Sequence, residues 1–323
     1  MAAIAITGAT GFLGGVLARR LLALGQPVIA MGRDREKLAA LEKLGARVLP
    51  CDLSLGAPPA DGLEADALVH SAALSSAWGR TGDFRAANVT GTQSAVVLAR
   101  SIGARRLVHI STPSLYFRFR DQPRVREDAA LPAPVNAYAA TKREAEQLAL
   151  TASDLDPVIL RPRGIYGAGD TALLPRLLRA ARSGPLPLVR DGAAETDLTH
   201  VDDVAAAILA ALAAPPAPAS RIFNISGGEP LPIRRIAEAA AARAGASVRW
   251  RSIPEVALLA AARTLELAAC LHPARPEPRI TAYSAGLFAF TQTLDLSAAR
   301  AHLGWTPQIS FGEGLARTFG DGT

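Results

Sequence analysis

A tyrosine and a lysine lie four residues apart in the segment YAATKREAEQL, residues 138–148, which is rich in Ala, Leu and alternating charge. This pattern predicts a helix, and residues at positions i and i+4 share one helix face. Tyr138 and Lys142 are therefore expected to point the same way. A neighbouring cation favours the phenolate and lowers the pKa of a tyrosine from its usual value of about 10. Such a tyrosine can exchange protons near neutral pH, although an isolated pair of this spacing is more typical of a solvated helix surface.

Hydroxyl groups stand at the end of the strand predicted for RRLVHIST, residues 105–112. Ser111, Thr112 and Ser114 come at its carboxyl end, where open parallel sheets bind their ligands. A hydroxyl at this place can orient a substrate oxygen and stabilise the charge that develops on it. Together with the phenol and the ammonium, it forms a set suited to moving a proton to or from a substrate oxygen.

Glycines recur every three residues in TGATGFLGG, residues 7–15, directly after an apolar strand and at the start of a helical stretch. Gly8, Gly11 and Gly14 permit a tight turn and let the backbone approach a diphosphate, while the N–H groups of the helix N-terminus point at it. This context predicts a dinucleotide site. The loop residues expected to contact the dinucleotide are Gly8, Thr10, Gly11, Phe12 and Leu13.

The end of the second predicted strand bears on which dinucleotide binds. An acidic residue here would accept a hydrogen bond from the ribose of NAD, whereas this strand ends in the sequence MGRD. Arg33 suits a 2′-phosphate, and Asp34 is placed to cap the next helix. NADP(H) is therefore favoured and NAD(H) stays open, because Arg33 would also fit an adenine face or solvent. Asp52 and Leu53 are expected near the adenine, although Asp52 equally suits a cap of its own turn.

Strand and helix patterns alternate from the first residues. Continuous apolar strands between amphipathic helices indicate a parallel sheet that is covered on both faces. The strands are predicted at 3–7, 27–33, 46–53, 65–73, 105–112, 156–162 and 221–226. We therefore predict a doubly wound α/β fold of the Rossmann type with a smaller, mostly helical C-terminal substrate lobe. The predicted division gives residues 1–166 and 195–225 to the dinucleotide-binding domain and residues 167–194 and 226–323 to the lobe.

The bulk composition restricts the function. Half of the residues are hydrophobic, and 35 Lys and Arg stand against 29 Asp and Glu, a net charge of +6 without a basic run. Nucleic-acid binding usually needs a clustered basic face, so no nucleic-acid partner is expected. Cys51 and Cys270 form neither a disulfide framework nor a zinc spacing, and no metal site is predicted. The most apolar stretch, 256–271, contains Arg263 and Glu266, so we expect no membrane span and a cytoplasmic location.

The segments that carry these features resemble the extended short-chain dehydrogenase/reductase superfamily, also called the NAD-dependent epimerase/dehydratase family. The matching segments are TGATGFLG (7–14), CDL (51–53), HSAA (70–73), NVTGT (88–92), ISTPSLY (110–116), YAATK (138–142), RPRGIYGAGD (161–170), THVDDVAAAI (199–208) and FNISGG (223–228). They occur in the family's order across nearly the whole chain. Jointly they are specific, although each alone is not.

The resemblance implies a role for each matched position. Tyr138 is the proton donor or base, and Lys142 is its activator and a ligand of the nicotinamide ribose. The catalytic hydroxyl falls on Thr112, with Ser111 and Ser114 as neighbours able to substitute for it. The other positions implied in cofactor contact or in bracing the site are Ala72, Ala73, Asn88, Pro162 and Ile165. The histidines expected to be structural, rather than metal ligands, are His70, His109 and His200.

The substrate class depends on the C-terminal segment. Residues 254–290 contain a long apolar helix and resemble 3β-hydroxysteroid dehydrogenase-like members and 2-alkyl-3-oxoalkanoate reductases, which act on apolar ketones or alcohols. This favours an NAD(P)-dependent oxidoreductase for a keto or hydroxyl group of a hydrophobic small molecule. The helix also fits a plain packing role, and Arg275 and Arg279 keep a nucleotide-sugar epimerase or dehydratase as the alternative. Many relatives dimerise through helices at 90–103 and 138–152, so the resemblance also permits a homodimer.

Overall fold

The computed structural model describes residues 3–216 and 220–320. Its strands are β1 (Ile4–Thr7), β2 (Val28–Gly32), β3 (Arg47–Pro50), β4 (Ala67–His70), β5 (Arg106–Ile110), β6 (Gln122–Val125), β7 (Val158–Pro162), β8 (Ile165–Tyr166), β9 (Leu186–Leu188), β10 (Glu195–Thr196), β11 (Thr199–His200), β12 (Ile222–Ile225), β13 (Leu231–Pro232), β14 (Trp250–Ser252) and β15 (Gln292–Leu294). Seven of them form one sheet in the order β12-β7-β5-β4-β1-β2-β3, and every neighbouring pair is parallel. This confirms the doubly wound sheet, and each of its strands lies inside its predicted range.

Helices cover both faces of this sheet. The helices within the described residues are α1 (Phe12–Ala23), α2 (Arg35–Glu42), α3 (Thr81–Phe84), α4 (Gly91–Ser101), α5 (Ala137–Thr151), α6 (Leu173–Ser183), α7 (Val201–Ala213), α8 (Ile233–Arg243), α9 (Glu255–Leu271), α10 (Ala282–Ala289), α11 (Ser297–Leu303) and α12 (Phe311–Phe319). Helices α1 and α7 bury Leu17 and Ile208 in one core cluster, while α4 and α5 bury Leu98 and Ala149 in another. Strands enclosed between two helical layers need no polar face, which explains their continuous apolar sequences.

After β7 the chain forms mostly helices, as predicted, together with short strands. Strands β13, β10, β15 and β6 make a four-stranded sheet in that order, β11 pairs with β8, and β14 pairs with β9. Strand β6 precedes α5 in the chain and pairs with β15, close to the C-terminus. The alternation pattern did not predict β6, because residues 117–128 contain four arginines and a proline in place of alternating apolar residues.

The apolar helix predicted at 256–271 is α9, and much of its apolar surface is exposed. Its buried residues are Leu258, Ala262 and Ala269. Val256 is 77% exposed and Leu271 is 78% exposed. Leu258 and Ala262 of this narrow buried stripe pack against α10. Helix α9 therefore lies over α10 at the surface and is not a core helix. None of the helices within residues 3–216 and 220–320 is long and apolar enough to cross a bilayer.

A buried ion pair joins α5 to β7 next to the carboxyl edge of the sheet. The Arg161 guanidinium donates to both carboxylate oxygens of Glu146, and these side chains are 2% and 5% exposed. Arg161 also donates to the Tyr116 hydroxyl, and the Ser111 hydroxyl donates to Glu146 Oε2 at 2.6 Å. A buried charge that loses its partner keeps its desolvation cost, so this network stabilises the fold only as a complete set.

Removing the carboxylate of Glu146 is expected to destabilise the fold. Glu146→Gln leaves the Arg161 charge buried without a counter-ion, and the free energy of unfolding should fall by about 3–5 kcal/mol. Urea unfolding followed by circular dichroism measures this change. Glu144→Gln on the same helix is the matched control, because Glu144 pairs with Arg85 at the surface, where an ion pair contributes about 0–1 kcal/mol. Equal losses in the two variants would contradict the importance of the buried pair.

Candidate active site

The glycine loop packs backbone against backbone at the carboxyl edge of β1. Gly8 has φ of +71°, and a Cβ here would lie 2.7 Å from Ala72 N, just beyond β4. A Cβ at Gly14 would run into the carbonyl oxygen of Gly8. Glycine permits both the left-handed backbone at Gly8 and this close approach. The loop is therefore held flat against the sheet edge, as a dinucleotide-binding turn requires.

Helix α1 begins directly after this loop. Within the residues that the structure describes, the N-cap of α1, Gly11, makes no side-chain hydrogen bond, and the first turn of α1 holds no acidic residue. The first amide groups of a helix have no partner within it, and the helix dipole makes this end positive. The glycine-lined backbone and the helix start therefore fit the diphosphate of a nicotinamide dinucleotide. Thr10, Phe12 and Leu13 lie at this turn, and their contact with a dinucleotide stays a prediction.

Arg33 and Asp52 lie together beyond the ends of β2 and β3. The Arg33 side chain is 78% exposed, and its Nη1 is 3.7 Å from the Asp52 carboxylate. Asp34 caps α2 by accepting from an amide N–H of the first turn at 3.1 Å. Asp52 caps its own turn, because the N–H and the hydroxyl of Ser54 both donate to it, and Leu53 is buried beside it. Both carboxylates are thus engaged by the backbone, whereas the Arg33 charge is exposed.

Tyr138 lies in the first turn of α5. Asn136 caps this helix and accepts from the Ala139 N–H at 2.8 Å. The hydroxyls of Ser75 and Thr112 lie close enough to the Tyr138 phenol to favour its ionised form. Burial raises the pKa of Tyr138, and these two hydroxyls oppose the rise without reversing it. The structure therefore brings the predicted phenol and hydroxyl together, and their catalytic roles stay a prediction.

Lys142 is held by β5. Its ammonium donates to the Ile110 carbonyl at 2.6 Å and lies 3.4 Å from His109 Nε2. Burial lowers the pKa of Lys142 to about 8, and Glu146 opposes this change. We predicted from the helical spacing that this ammonium lowers the pKa of Tyr138. The pKa of the phenol is instead raised, and the role of Lys142 toward a phenolate stays a prediction. Burial of the phenol outweighs its favourable contacts, while a backbone carbonyl holds the ammonium.

The three hydroxyls that follow β5 have different partners. Ser111 donates to Glu146 and belongs to the buried ion-pair network. Thr112 accepts from the Ser114 N–H at 3.2 Å and donates to Ser114 Oγ at 3.0 Å. Of the three, Thr112 is the hydroxyl that lies beside the Tyr138 phenol. The geometry therefore favours Thr112 over its two neighbours for contact with a substrate oxygen.

A π-helical turn at Arg85–Thr90 precedes α4 and buries Asn88. The Asn88 side chain accepts from the Leu74 N–H at 2.8 Å and donates to the Leu74 carbonyl at 3.2 Å. It also donates to the Thr141 hydroxyl at 3.1 Å. These bonds tie the loop after β4 to α5, so Asn88 braces two of the elements that surround the phenol.

The histidines have structural partners. His70 lies 2.7 Å and 3.0 Å from two threonine hydroxyls, and burial lowers its pKa to about 3. His109 is buried beside Lys142, and burial and this ammonium hold the pKa of His109 well below its usual range. His200 caps α7 by accepting from a first-turn N–H at 3.3 Å. In the part of the chain that the structure describes, no three His, Cys, Asp or Glu side chains cluster as metal ligands.

The other residues predicted to contact the cofactor lie along the same edge of the sheet. Ala72 and Ala73 follow β4, Pro162 ends β7, and Ile165 begins β8. Strands β4 and β7 flank β5, which leads into Thr112. Ala73 is exposed, Ala72 and Ile165 are half-buried, and Pro162 is buried. Their contact with a cofactor stays a prediction.

Sequence reasoning missed two hydroxyls of this cluster. Ser75, in the loop after β4, and Tyr283, on α10, both interact with the Tyr138 phenol. The Tyr283 hydroxyl also lies 2.7 Å from Ser114 Oγ. The sequence does carry a signal for Ser75, because a hydroxyl just after the carboxyl end of a predicted parallel strand is a candidate site residue. Tyr283 comes from far along the chain, and no local pattern connects it to the site.

The chain matches the model of the NAD dependent epimerase/dehydratase family over residues 4–226. The 2-alkyl-3-oxoalkanoate reductase of Stenotrophomonas maltophilia (strain K279a) is 36% identical over 334 residues, covering 97% of this chain and 97% of that protein. The 4-hydroxy-2-methyl-3-oxo-4-farnesyl-3,4-dihydroquinoline-1-oxide ketoreductase of Stigmatella aurantiaca is 34% identical over 317 residues, covering 96% and 93%.

Solved structures show the same fold. The dTDP-glucose 4,6-dehydratase DesIV of Streptomyces venezuelae, solved with NAD bound, has a TM-score of 0.74 and 27% identity, covering 98% of this chain and 95% of that chain. The chain therefore belongs to the NAD-dependent epimerase/dehydratase family and is an NAD(P)-dependent oxidoreductase of the extended short-chain type.

Proposed function

We propose that this enzyme transfers a hydride between a nicotinamide dinucleotide and a keto or hydroxyl group of a hydrophobic small molecule, with Tyr138 as acid and base. The observation that carries the proposal is the closeness of the Tyr138 phenol to the Thr112 hydroxyl at the carboxyl edge of the sheet. Reduction of a ketone needs a proton for the oxygen, and the phenol supplies one. Relatives named as a reductase and a ketoreductase support the same reaction class.

The proposed reaction divides the work between the cofactor and the chain. A bound nicotinamide dinucleotide supplies the hydride. The Thr112 hydroxyl donates to the substrate oxygen and orients it, and Tyr138 gives its proton to that oxygen as negative charge develops there. Lys142, on the same helix, stabilises the phenolate that remains and holds the nicotinamide ribose. A phenol with a raised pKa keeps its proton at neutral pH, so the site is prepared for the reductive direction.

We infer that NADPH is preferred to NADH. The exposed Arg33 guanidinium stands at the end of β2, where the adenosine ribose lies in sheets of this type. An arginine donates to a phosphate through two parallel N–H groups, which makes it a strong ligand for a 2′-phosphate. The carboxylate of Asp34, which would accept from a ribose hydroxyl, is engaged in capping α2. A structural relative is solved with NAD, so NAD(H) stays the alternative.

Apolar surfaces beside the hydroxyl cluster support a hydrophobic substrate. The Tyr283 ring meets the Phe117 ring edge-on, with centroids 5.1 Å apart, and both belong to an apolar cluster shared by α9 and α10. The Trp78 indole donates to the Arg275 carbonyl at 3.2 Å, which joins the loop after β4 to the segment after α9. Relatives that match nearly the whole chain are named for alkyl and farnesyl ketones.

Association, location and domain division stay proposals. We propose a homodimer through α4 and α5, supported by Val97 on α4, which is 54% exposed.

The dinucleotide-binding domain is proposed to comprise residues 1–166 and 195–225, supported by the packing of α7 and β12 with the parallel sheet. A cytoplasmic location stays a prediction.

A nucleotide-sugar epimerase or dehydratase is the second candidate. The structural likeness to a dTDP-glucose dehydratase favours it, as do Arg275 and Arg279, exposed between α9 and α10 and suited to a diphosphate. An epimerase returns the hydride to its own substrate and retains its coenzyme. Oxidation of added NADPH with a panel of long-chain and cyclic ketones supports the reductase. Tightly retained NAD, turnover of UDP- or dTDP-sugars and no NADPH oxidation would support the epimerase instead.

Replacing the phenol should abolish most turnover. Tyr138→Phe removes the proton donor, and kcat for the reduction of the best ketone of the panel should fall by about 10²- to 10⁴-fold. Fluorescence titration with NADPH should show nearly unchanged coenzyme affinity, because the backbone of the glycine loop holds the diphosphate. Tyr166→Phe is the control, since this tyrosine packs against α12, away from the hydroxyl cluster. Turnover that survives in Tyr138→Phe would remove the proton-transfer role.

Changing the charge at position 33 should change the coenzyme preference. Arg33→Asp removes the proposed phosphate ligand and supplies a ribose acceptor, so the ratio of kcat/KM for NADPH to that for NADH should fall by roughly 10- to 100-fold. Lys43→Asp, just beyond the far end of α2, makes the same change in net charge and should leave the ratio unchanged. An unaltered ratio in Arg33→Asp would exclude Arg33 as the phosphate ligand.

The reductive activity should depend on the charge of Lys142. The pKa of Lys142 is lowered to about 8, so the ammonium is present below that pH and is lost as the pH rises through it. Loss of this charge removes the group that stabilises the developing phenolate, and kcat/KM for ketone reduction should fall above about pH 8. A pH–rate profile of Lys142→Met should lack this step. A wild-type profile that stays flat beyond this pH would contradict the assigned role.

A further inference from the structure

A line of hydrogen-bonding side chains runs from Thr112 into the C-terminal part of the chain. The Thr112 and Ser114 hydroxyl oxygens are 3.0 Å apart, and Ser114 Oγ is 2.7 Å from the Tyr283 hydroxyl. Tyr283 in turn interacts with the Arg163 guanidinium. Thr112, Ser114 and Arg163 are each less than 8% exposed and Tyr283 is half-buried, so water has little access to most of this line. Its members must therefore satisfy one another.

Arg163 fixes the direction of this line, because a guanidinium has N–H donors and no acceptor. Its Nε donates to the Thr196 hydroxyl at 2.9 Å and its Nη1 donates to Gln292 Oε1 at 2.5 Å, which hold the group in place. Burial lowers the pKa of Arg163, and Tyr283 and Asp197 oppose this change. The positive charge of Arg163 near Tyr283 favours the orientation in which the phenol oxygen faces the guanidinium and the phenol hydrogen faces Ser114.

We propose that Tyr283 and Arg163 are positioning residues that turn the Thr112 hydroxyl toward the substrate oxygen. In the chain by itself, Thr112 donates to Ser114. A substrate oxygen needs that hydrogen, so Thr112 has to release Ser114. Ser114 Oγ then keeps the hydrogen bond from Tyr283 and donates its own hydrogen to Thr112 Oγ1. The inference rests on the proposed function, which provides the substrate oxygen.

When Tyr283, Ser114 and Thr112 all donate in the same direction, Thr112 becomes a stronger hydrogen-bond donor. Hydrogen bonds that follow one another in a single direction polarise each other, most of all in a buried environment. The order Arg163, Tyr283, Ser114, Thr112 begins at a positive charge and ends at the oxygen where negative charge develops during reduction. Such a donor stabilises the transition state more than the ground state. No proton crosses the line, so Tyr138 remains the proton source.

The Tyr283 hydroxyl can be removed without removing its ring. Tyr283→Phe keeps the packing against Phe117 but lacks the donor to Ser114. We expect kcat for ketone reduction to fall about tenfold, less than the ~10²–10³-fold loss known for a donor that touches the reacting oxygen, with KM for NADPH unchanged. Ser284→Ala is the control on the same helix, because the Ser284 hydroxyl bonds with Thr281 and lies outside the line. It should leave both constants unchanged.

A double-mutant cycle separates this role from a general packing role. A Thr112→Val background lacks the hydroxyl that Tyr283 is proposed to orient. Adding Tyr283→Phe to this background should therefore cause no further loss of kcat. Equal losses in both backgrounds, or no loss in the wild-type background, would overturn the inference while leaving the proposed function intact. A wild-type enzyme that reduces no ketone of the panel would refute the proposed function and the inference together. Circular dichroism verifies that every variant is folded.

Discussion

The site depends on one buried hydrogen bond, from the Lys142 ammonium to the Ile110 carbonyl at 2.6 Å. It joins α5 to the last residue of β5. Tyr138 lies one turn earlier on this helix and Thr112 lies two residues beyond the strand, so the same bond sets the phenol opposite the hydroxyl. A charged donor bonds strongly to a carbonyl in a water-poor interior, and neither partner can leave without exposing an unsatisfied group. The distance between acid and hydroxyl is therefore set by a helix and a strand and not by a mobile loop.

Burial acts on the two ionisable groups of this junction in opposite directions. It lowers the pKa of Lys142 and raises the pKa of Tyr138, because burial disfavours the charged form of each group. At neutral pH the phenol keeps its proton and the amine keeps most of its charge. This state suits a site that must donate a proton to a substrate oxygen and then stabilise the phenolate that remains. Helical spacing alone pointed to a phenolate, since it shows which residues share a face and does not show how deep that face lies.

Local patterns predicted the parts of the enzyme that depend on neighbours in the chain. The apolar strands, the glycine turn at Gly8 and the hydroxyls after β5 all follow from residues a few positions apart, and the structure has each of them in place. Strand β6 and the Tyr283 contact depend on pairing with segments far along the chain, for which a local pattern carries no signal. The capping roles of Asp34 and Asp52 were open alternatives in the sequence, and only the positions of their backbone donors decided them.

The C-terminal part of the chain reaches the hydroxyls at the carboxyl end of β5. Glu266 on α9 accepts from the Ala282 N–H at 2.9 Å, so the exposed apolar helix fixes the start of the helix that carries Tyr283. Tyr283 then meets Ser114, directly beside the predicted catalytic hydroxyl. A change in α9 that suits another substrate will therefore also shift a hydroxyl next to Thr112. In the proposed enzyme, the strand ends would hold the reacting groups rigidly, while α9 and α10 would adjust the strength of one hydrogen-bond donor among them.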